Sequence, residues 1–357
     1  MKLTINKVII NSICLFLLIC PALGNPSQAD SGDSSPVENA QQNLDLRKLA
    51  ADAESGDSEA QFKLGVCYED GIAVDKDPVQ AAAWYTKAAK QGNMNAQLRL
   101  GLCYFNGVGV KPDQTIAFNC FQYAAEAGDE LAQTMLGLCY ESGLGTAKNP
   151  VLAVNWYRKA AEQNFYIAQF SLGNCYYNGI GVPQDKEQGF EWYSKAAEQG
   201  YAKAQYNIGA CYYNGEGAEQ DQTLAFNWFK QAAENGDAQA QYDLSKFYSE
   251  GHLVDKDEAE SVKWLRRAAE QNHILAQFVL GRTYQIGSSV VKNGEEAVKW
   301  FRKAAAQGYS PAMYQLYMCY STGFGVKKDQ NIAKQWRKRA VDKGFSGPSC
   351  RPLEDFL

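Results

Sequence analysis

The sequence holds ten cysteines and two histidines, and reactive chemistry would have to be built mainly from these. Five of the cysteines, Cys67, Cys103, Cys139, Cys175 and Cys211, follow one another every 36 residues, and Cys319 lies three such steps further on. Thiols in register suggest either a disulfide framework or a set of small buried hydrophobes. Equivalent residues of stacked helices sit about 8–10 Å apart, whereas a disulfide needs Cα atoms within about 6.8 Å. The six are therefore expected to be buried thiols. Cys120 and Cys350 alone stand off the pattern in the mature chain, and their redox state is left open. His252 and His273 lie 21 residues apart without H-E-x-x-H or C-x-x-C company, so both read as exposed loop residues. The Gly-x-Gly turns, such as Gly179-Ile180-Gly181, lack the preceding strand and the third glycine of a phosphate cradle. No catalytic residue, metal site or cofactor follows from these residues.

What positions them is an internal repeat. Ala60, Ala96, Ala132, Ala168, Ala204, Ala240, Ala276 and Ala312 are spaced by 36 residues without an insertion, and each is taken as position 1 of a unit. Position 9 is then always Tyr, position 12 always Gly and position 29 always Ala. Position 25 is Trp in seven units, which accounts for all seven tryptophans, and Cys120 replaces it in the second. Positions 1, 5, 8, 9 and 12 fall on one face of a first helix, and 22, 25, 26, 29 and 30 on one face of a second. Gly or Asn at position 33 suits a left-handed helix end. Trp228 and its equivalents are expected to fill the space between helices as core.

The unit resembles the SLR family (Sel-like repeats, relatives of the tetratricopeptide repeat), most closely in AQFSLGNCYYNGIGV and FEWYSKAAEQG of the fourth copy. Departures are Ser245 and Tyr317 at the position-6 glycine, Ser289 at the second turn glycine and Cys120 for Trp. The resemblance implies an all-α fold, a right-handed α-solenoid of eight 36-residue helix-turn-helix repeats, working as a protein-interaction scaffold. In the family, exported members are typically adaptors, and some in pathogens act on host proteins. A cysteine-rich branch has been linked with β-lactam hydrolysis, the competing reading. That branch pairs two cysteines within each repeat, and this chain lacks the second. Ser289-Val290-Val291-Lys292 spells S-x-x-K, but it falls in a turn, with neither S-D-N nor K-T-G.

A binding face is the better expectation. Positions 3, 7 and 10 of the first helix point away from the face of positions 1, 5 and 9, and in tetratricopeptide relatives the matching positions line the concave groove. Position 3 supplies Phe62, Phe170, Tyr206, Tyr242, Phe278 and Tyr314, and position 10 adds Phe105, Tyr177 and Tyr213. These nine rings are the candidate contacts for a protein or peptide ligand, because interfaces favour Tyr and Phe. Tyr177, Tyr213, Phe170 and Tyr206 are expected to form one outward patch. Lys246 and Arg282 make the face basic further along.

The rest of the chain sets the setting. With 46% hydrophobic and 21% charged residues and net charge −5, it is an ordered protein for which nucleic acid is an unlikely partner. Residues 1–24 read as a signal peptide: Lys2 and Lys7, an apolar run from Val8 to Cys20, then Ala22-Leu23-Gly24. That run is too short for a membrane span, so a secreted or periplasmic product is expected. Residues 25–42 read as a flexible leader, 43–59 as a capping helix, 60–344 as the eight repeats and 345–357 as a tail. Residues 25–200 carry net −9, and the last 67 residues net +6, so the basic C-terminal end is a contact candidate for an acidic surface.

Overall fold

The structure, a computed structural model, describes residues 36–346, with side chains from residue 45. The expected signal peptide, most of the leader and most of the tail lie outside the described residues, as does Cys350. A first helix, α1 (Pro36–Glu54), begins inside the expected leader, earlier than the capping helix read from residue 43. Eight helix pairs follow: α2 (Ser58–Asp70) and α3 (Pro78–Lys90); α4 (Met94–Asn106) and α5 (Gln114–Glu126); α6 (Glu130–Ser142) and α7 (Pro150–Glu162); α8 (Tyr166–Asn178) and α9 (Lys186–Glu198). Then come α10 (Ala202–Asn214) and α11 (Gln222–Glu234); α12 (Ala238–Glu250) and α13 (Glu258–Glu270); α14 (Ile274–Ile286) and α15 (Gly294–Ala306); α16 (Ser310–Thr322) and α17 (Gln330–Asp342). The described residues contain no strand, and the fold is an all-α solenoid of eight repeats. It divides into two compact units that meet at Ala196 and Ala197 within α9.

Each pair is closed by the same local chemistry. The first helix stops at a left-handed glycine, as at Gly71 (φ 77°), whose N–H donates to the Cys67 carbonyl at 2.9 Å. The second helix starts at position 18, which is Asp or Asn in all eight repeats. Asp77 shows why: its carboxylate accepts from Val79 and Gln80 N–H, and its own N–H donates back to the Tyr68 carbonyl at 2.9 Å. That return bond recurs from the capping residue to every position-9 tyrosine. The backbone of those tyrosines, as much as their rings, therefore holds the turn.

The core corrects one expectation. Position 25 is not the filler: Trp84, Trp156, Trp192, Trp228 and Trp336 are half-buried, and only Trp264 and Trp300 are buried. Six of the tryptophans lie under a cation three residues on, as Trp84 does under Lys87 at 3.5 Å and Trp192 under Lys195 at 3.8 Å. The filler is position 26. Tyr85, Phe121, Tyr157, Tyr193, Phe229 and Phe301 are all at 0% exposure, each lying over the position-6 glycine of its own repeat. A Cβ on Gly209, for instance, would come within 2.8 Å of the Phe229 ring. Where position 6 is larger, position 26 is not aromatic: Ser245 goes with Leu265, and Tyr317 with Arg337.

A second feature is a buried amide rib. Position 2 is Gln in seven repeats, and each donates to a carbonyl eight residues earlier, as Gln241 does to Ala233 at 3.0 Å. In repeats 1, 3, 5, 6 and 7 its oxygen also accepts from an amide 30 residues later, for example Gln271 to Gln241 at 2.8 Å. Both the donor and the acceptor of a buried amide are thereby used.

Candidate protein-binding face

Positions 3, 6, 7 and 10 recur within one to two helical turns, so they share a face of the first helix. The position-26 ring lies against that face, which decides where the nine candidate rings go. Of these, Phe170, Tyr177, Tyr206 and Phe278 are buried, with 3, 5, 2 and 6% exposure. The expectation that they face outward is therefore corrected. In the first unit Phe170 and Tyr177 bracket Tyr193, with centroids at 5.8 and 6.0 Å. Gly189 lets Tyr177 in so closely that a Cβ there would stand 2.8 Å from the Tyr177 Cβ. In the second unit Tyr206 packs on Phe229 at 5.4 Å, and Phe278 on Phe301 at 6.0 Å. Phe62, Phe105, Tyr213, Tyr242 and Tyr314 are half-buried. Phe62 and Phe105 lean on Tyr85 and Phe121, and Tyr314 leans on Phe345 at 4.8 Å.

Position 10 is also matched to the core. Where position 26 is Tyr, its buried hydroxyl needs an acceptor: Tyr85 donates to Glu69, and Tyr157 to Glu141 at 2.8 Å. In the fourth repeat position 10 is Tyr177, and Tyr193 donates instead to Asn174 at 2.8 Å. Burial raises the Glu141 carboxyl, and the Tyr157 hydrogen bond partly opposes that rise.

The second unit builds a polar chain on the same face. Tyr206 on α10 donates to Asp243 on α12 at 3.0 Å, and Gln239 donates to the same carboxylate oxygen at 2.9 Å. The Gln239 carbonyl in turn meets His273 Nε2 at 3.1 Å. His273 is the N-cap of α14 and accepts the Ala276 N–H through Nδ1, so Nε2 carries the proton. Its ring stacks on Tyr242 at 4.8 Å, and burial lowers its pKa to about 4. His252 is likewise engaged, within 3.1 Å of the Tyr213 hydroxyl and edge-on to that ring. The expectation of two exposed histidines thus gives way to two packed ones, since capping and ring contacts depend on tertiary neighbours that spacing does not reveal.

Position 4 was the missed part of the face. It lies about 60° from position 7 around the helix, and it holds Asn207 and Asp243 in the fifth and sixth repeats. Asp243 is buried, which raises its carboxyl against the two donors that favour its charge. Asn207 is at 0% exposure, and neither its amide nitrogen nor its oxygen has a hydrogen-bond partner. Nearby, Asp237 caps α12 through the Ala240 N–H at 2.7 Å, and burial lifts it to about 6.

The cysteines of the repeat position are buried except Cys67, which is half-buried. Burial lifts Cys103 and Cys139 to about 12 and Cys319 to about 11, which suppresses thiolate. Cys120, also buried, is lifted to about 11. Ser289 donates to Glu258, and the Lys292 ammonium lies 5.5 Å from the Phe324 ring. The S-x-x-K pair is therefore not arranged as nucleophile and base. Among the described residues no cluster of His, Cys, Asp and Glu could hold a metal, and no helix is long and apolar enough to cross a membrane.

The model of the Sel1 repeat matches residues 58–93, 95–129, 131–165, 167–201, 202–237, 238–273, 274–309 and 310–345. Among solved structures, the chain is similar to a Sel1 repeat protein from Oxalobacter formigenes, at 31% identity and TM-score 0.64 over 94% of this chain and 97% of that one. It is also similar to a protective antigen of uropathogenic Escherichia coli with an SLR fold, at 37% identity and TM-score 0.63. That likeness covers 84% of this chain, which spans 64% of the antigen's chain. No curated protein matches the sequence.

Proposed function

The chain belongs to the Sel1 repeat family, and we propose that it is an exported adaptor holding a protein or peptide on the first-helix face of its repeats. The observation that carries this reading is a group of partly accessible rings, with a cation among them, on that face in the fifth and sixth repeats. The half-buried rings Tyr213 and Tyr242 and the cation Lys246 belong to the same face in the fifth and sixth repeats. Phe62, Phe105 and Tyr314 extend the set of partly accessible rings to other repeats.

Export is supported by the signal-like residues 1–24, which makes the product secreted or periplasmic. A host-directed role is carried only by the resemblance to exported members of the family. The arrangement at Ser289 favours binding over hydrolysis.

The test is direct. The chain from residue 25 is given a photoreactive side chain at position 213 or 242, partners are captured, and the binding constant of each is measured. Tyr213→Ala with Lys246→Ala should weaken the captured partner by about 2 kcal/mol, the scale of an interface hot spot. A partner that binds the double variant as well as the parent would move the site off this face.

A further inference from the structure

The C-terminal end exposes a face that in the second, third, fifth, sixth and seventh repeats meets the following one. At position 23, Phe118 lies edge-on to Tyr140 of the next repeat at 5.4 Å, and Phe226 to Tyr248 at 6.2 Å. At position 27, Arg158, Arg266 and Arg302 donate to the hydroxyls of Tyr176, Tyr284 and Tyr320 at 2.9, 2.6 and 2.6 Å. In the eighth repeat these positions are Lys334 and Lys338, and position 30, alanine in the repeats before, is Val341 at 58% exposure. Both lysines are exposed, and the ion pairs of the described residues do not include them.

A solenoid end must be polar to stay soluble, but polarity does not require a single sign. Residues 327–343 hold seven cations against two acids, and one of those acids, Asp329, is engaged in capping α17. The other end of the chain has the opposite sign. Residues 25–59 hold eight acidic and two basic side chains, and Asp52 and Glu54 stand exposed on α1. Ends of like sign would repel copies of the chain, whereas these attract.

We propose that the basic C-terminal face of one copy docks on the acidic N-terminal end of a second copy, a head-to-tail contact centred on Lys334, Lys338 and Val341. Such a contact is heterologous, so each copy offers one donor end and one acceptor end. Because the charges are exposed, salt controls it: screening reaches about 10 Å at 0.1 M and about 3 Å at 1 M.

Light scattering on the chain from residue 25 tests this. At about 25 mM salt the mean mass should rise at least about twofold with concentration, and near 0.5 M it should return to the monomer. Lys334→Glu with Lys338→Glu should abolish the rise, and so should Asp52→Lys with Glu54→Lys at the other end. Mixing the two double variants should restore association, because each reversed end then meets its complement. All four substitutions are on exposed side chains, and thermal unfolding of each variant confirms its fold. A monomer at every salt concentration would overturn the proposal, as would association that ignores both reversals. Salt-sensitive binding to phosphatidylglycerol vesicles by a chain that stays monomeric would also overturn it, and would assign the face to lipid.

Discussion

Helices α6 and α12 occupy the same place in their repeats, yet their faces toward positions 3, 4 and 7 differ in kind. In α6 those positions are Thr134, Met135 and Leu138, all at 0% exposure. In α12 they are Tyr242, Asp243 and Lys246: Asp243 accepts from Tyr206 and Gln239, Gln239 meets His273, and Tyr242 stacks on the His273 ring. The frame around them is the same: a position-1 alanine, a position-2 glutamine bonded to the preceding helix, a capping Asp or Asn, and a large buried residue at position 26. The difference teaches that the frame fixes the backbone without using positions 4 and 7. These can be apolar in one repeat and ionic in another at no cost to the register.

The comparison can be broken most forcefully at the frame. Phe229→Ala should cost about 3–5 kcal/mol, the usual loss for a buried ring. Trp228→Ala should cost clearly less, about 1–2 kcal/mol, since that ring is only partly buried. Equal losses in urea unfolding would return position 25 to the core. Next in size is the amide rib. Gln277→Leu leaves Gln307 and the Ala269 carbonyl short of a partner and should cost about 2 kcal/mol. Gln97→Leu breaks the bond to Ala89 alone, because Ala127 replaces the partner amide, and should cost about half as much.

The ionic repeat can be separated from the apolar one by pH. The folded chain holds His273 near 4, below the free value of about 6.5. Its contribution is therefore full above about pH 6.5 and lost as pH falls toward 4. Asp237, held near 6, has the opposite sign: it favours the folded chain as pH falls from 6 toward 4, and Asp243 is raised in the same direction. The two trends oppose each other in the parent. His273→Asn keeps a capping side chain but removes the titration, so its stability should rise on acidification by about 2 kcal/mol relative to the parent. Thermal unfolding from pH 7 to 4 that runs parallel in both proteins would show that His273 does not titrate with folding. Smallest of all, Ser289→Gly relieves a positive φ of 60° but loses the bond to Glu258, and should change stability by less than about 0.5 kcal/mol.

The repeat itself was legible, because alanine, tyrosine and glycine recur at fixed spacing and helix ends have a known chemistry. The face was only partly legible. Recurrence of Trp at position 25 suggested burial, whereas five of the seven rings are half-buried and six lie beneath a lysine or arginine. Rings at positions 3 and 10 suggested a ligand, whereas Phe170, Tyr177, Tyr206 and Phe278 flank a core ring. The signal that would have separated these lay in the exceptions: Ser245 with Leu265, and Tyr317 with Arg337, show that positions 6 and 26 are fitted to each other. Asn207 carried no such mark, since an amide unused in the fold looks the same in sequence as one that is used.

The amide rib also governs how such a chain can change length. Gln241 reaches back eight residues to Ala233 and accepts from Gln271, 30 residues ahead, so the C-terminal ends of two successive second helices are measured from the same side chain. One residue inserted in either turn would shift one of those distances and leave a buried amide half-made. A block of 36 residues, added or removed whole, presents the neighbouring glutamines with the same carbonyl and the same amide as before. Inheritance can therefore lengthen or shorten this protein in whole repeats far more readily than it can alter the length of any one of them.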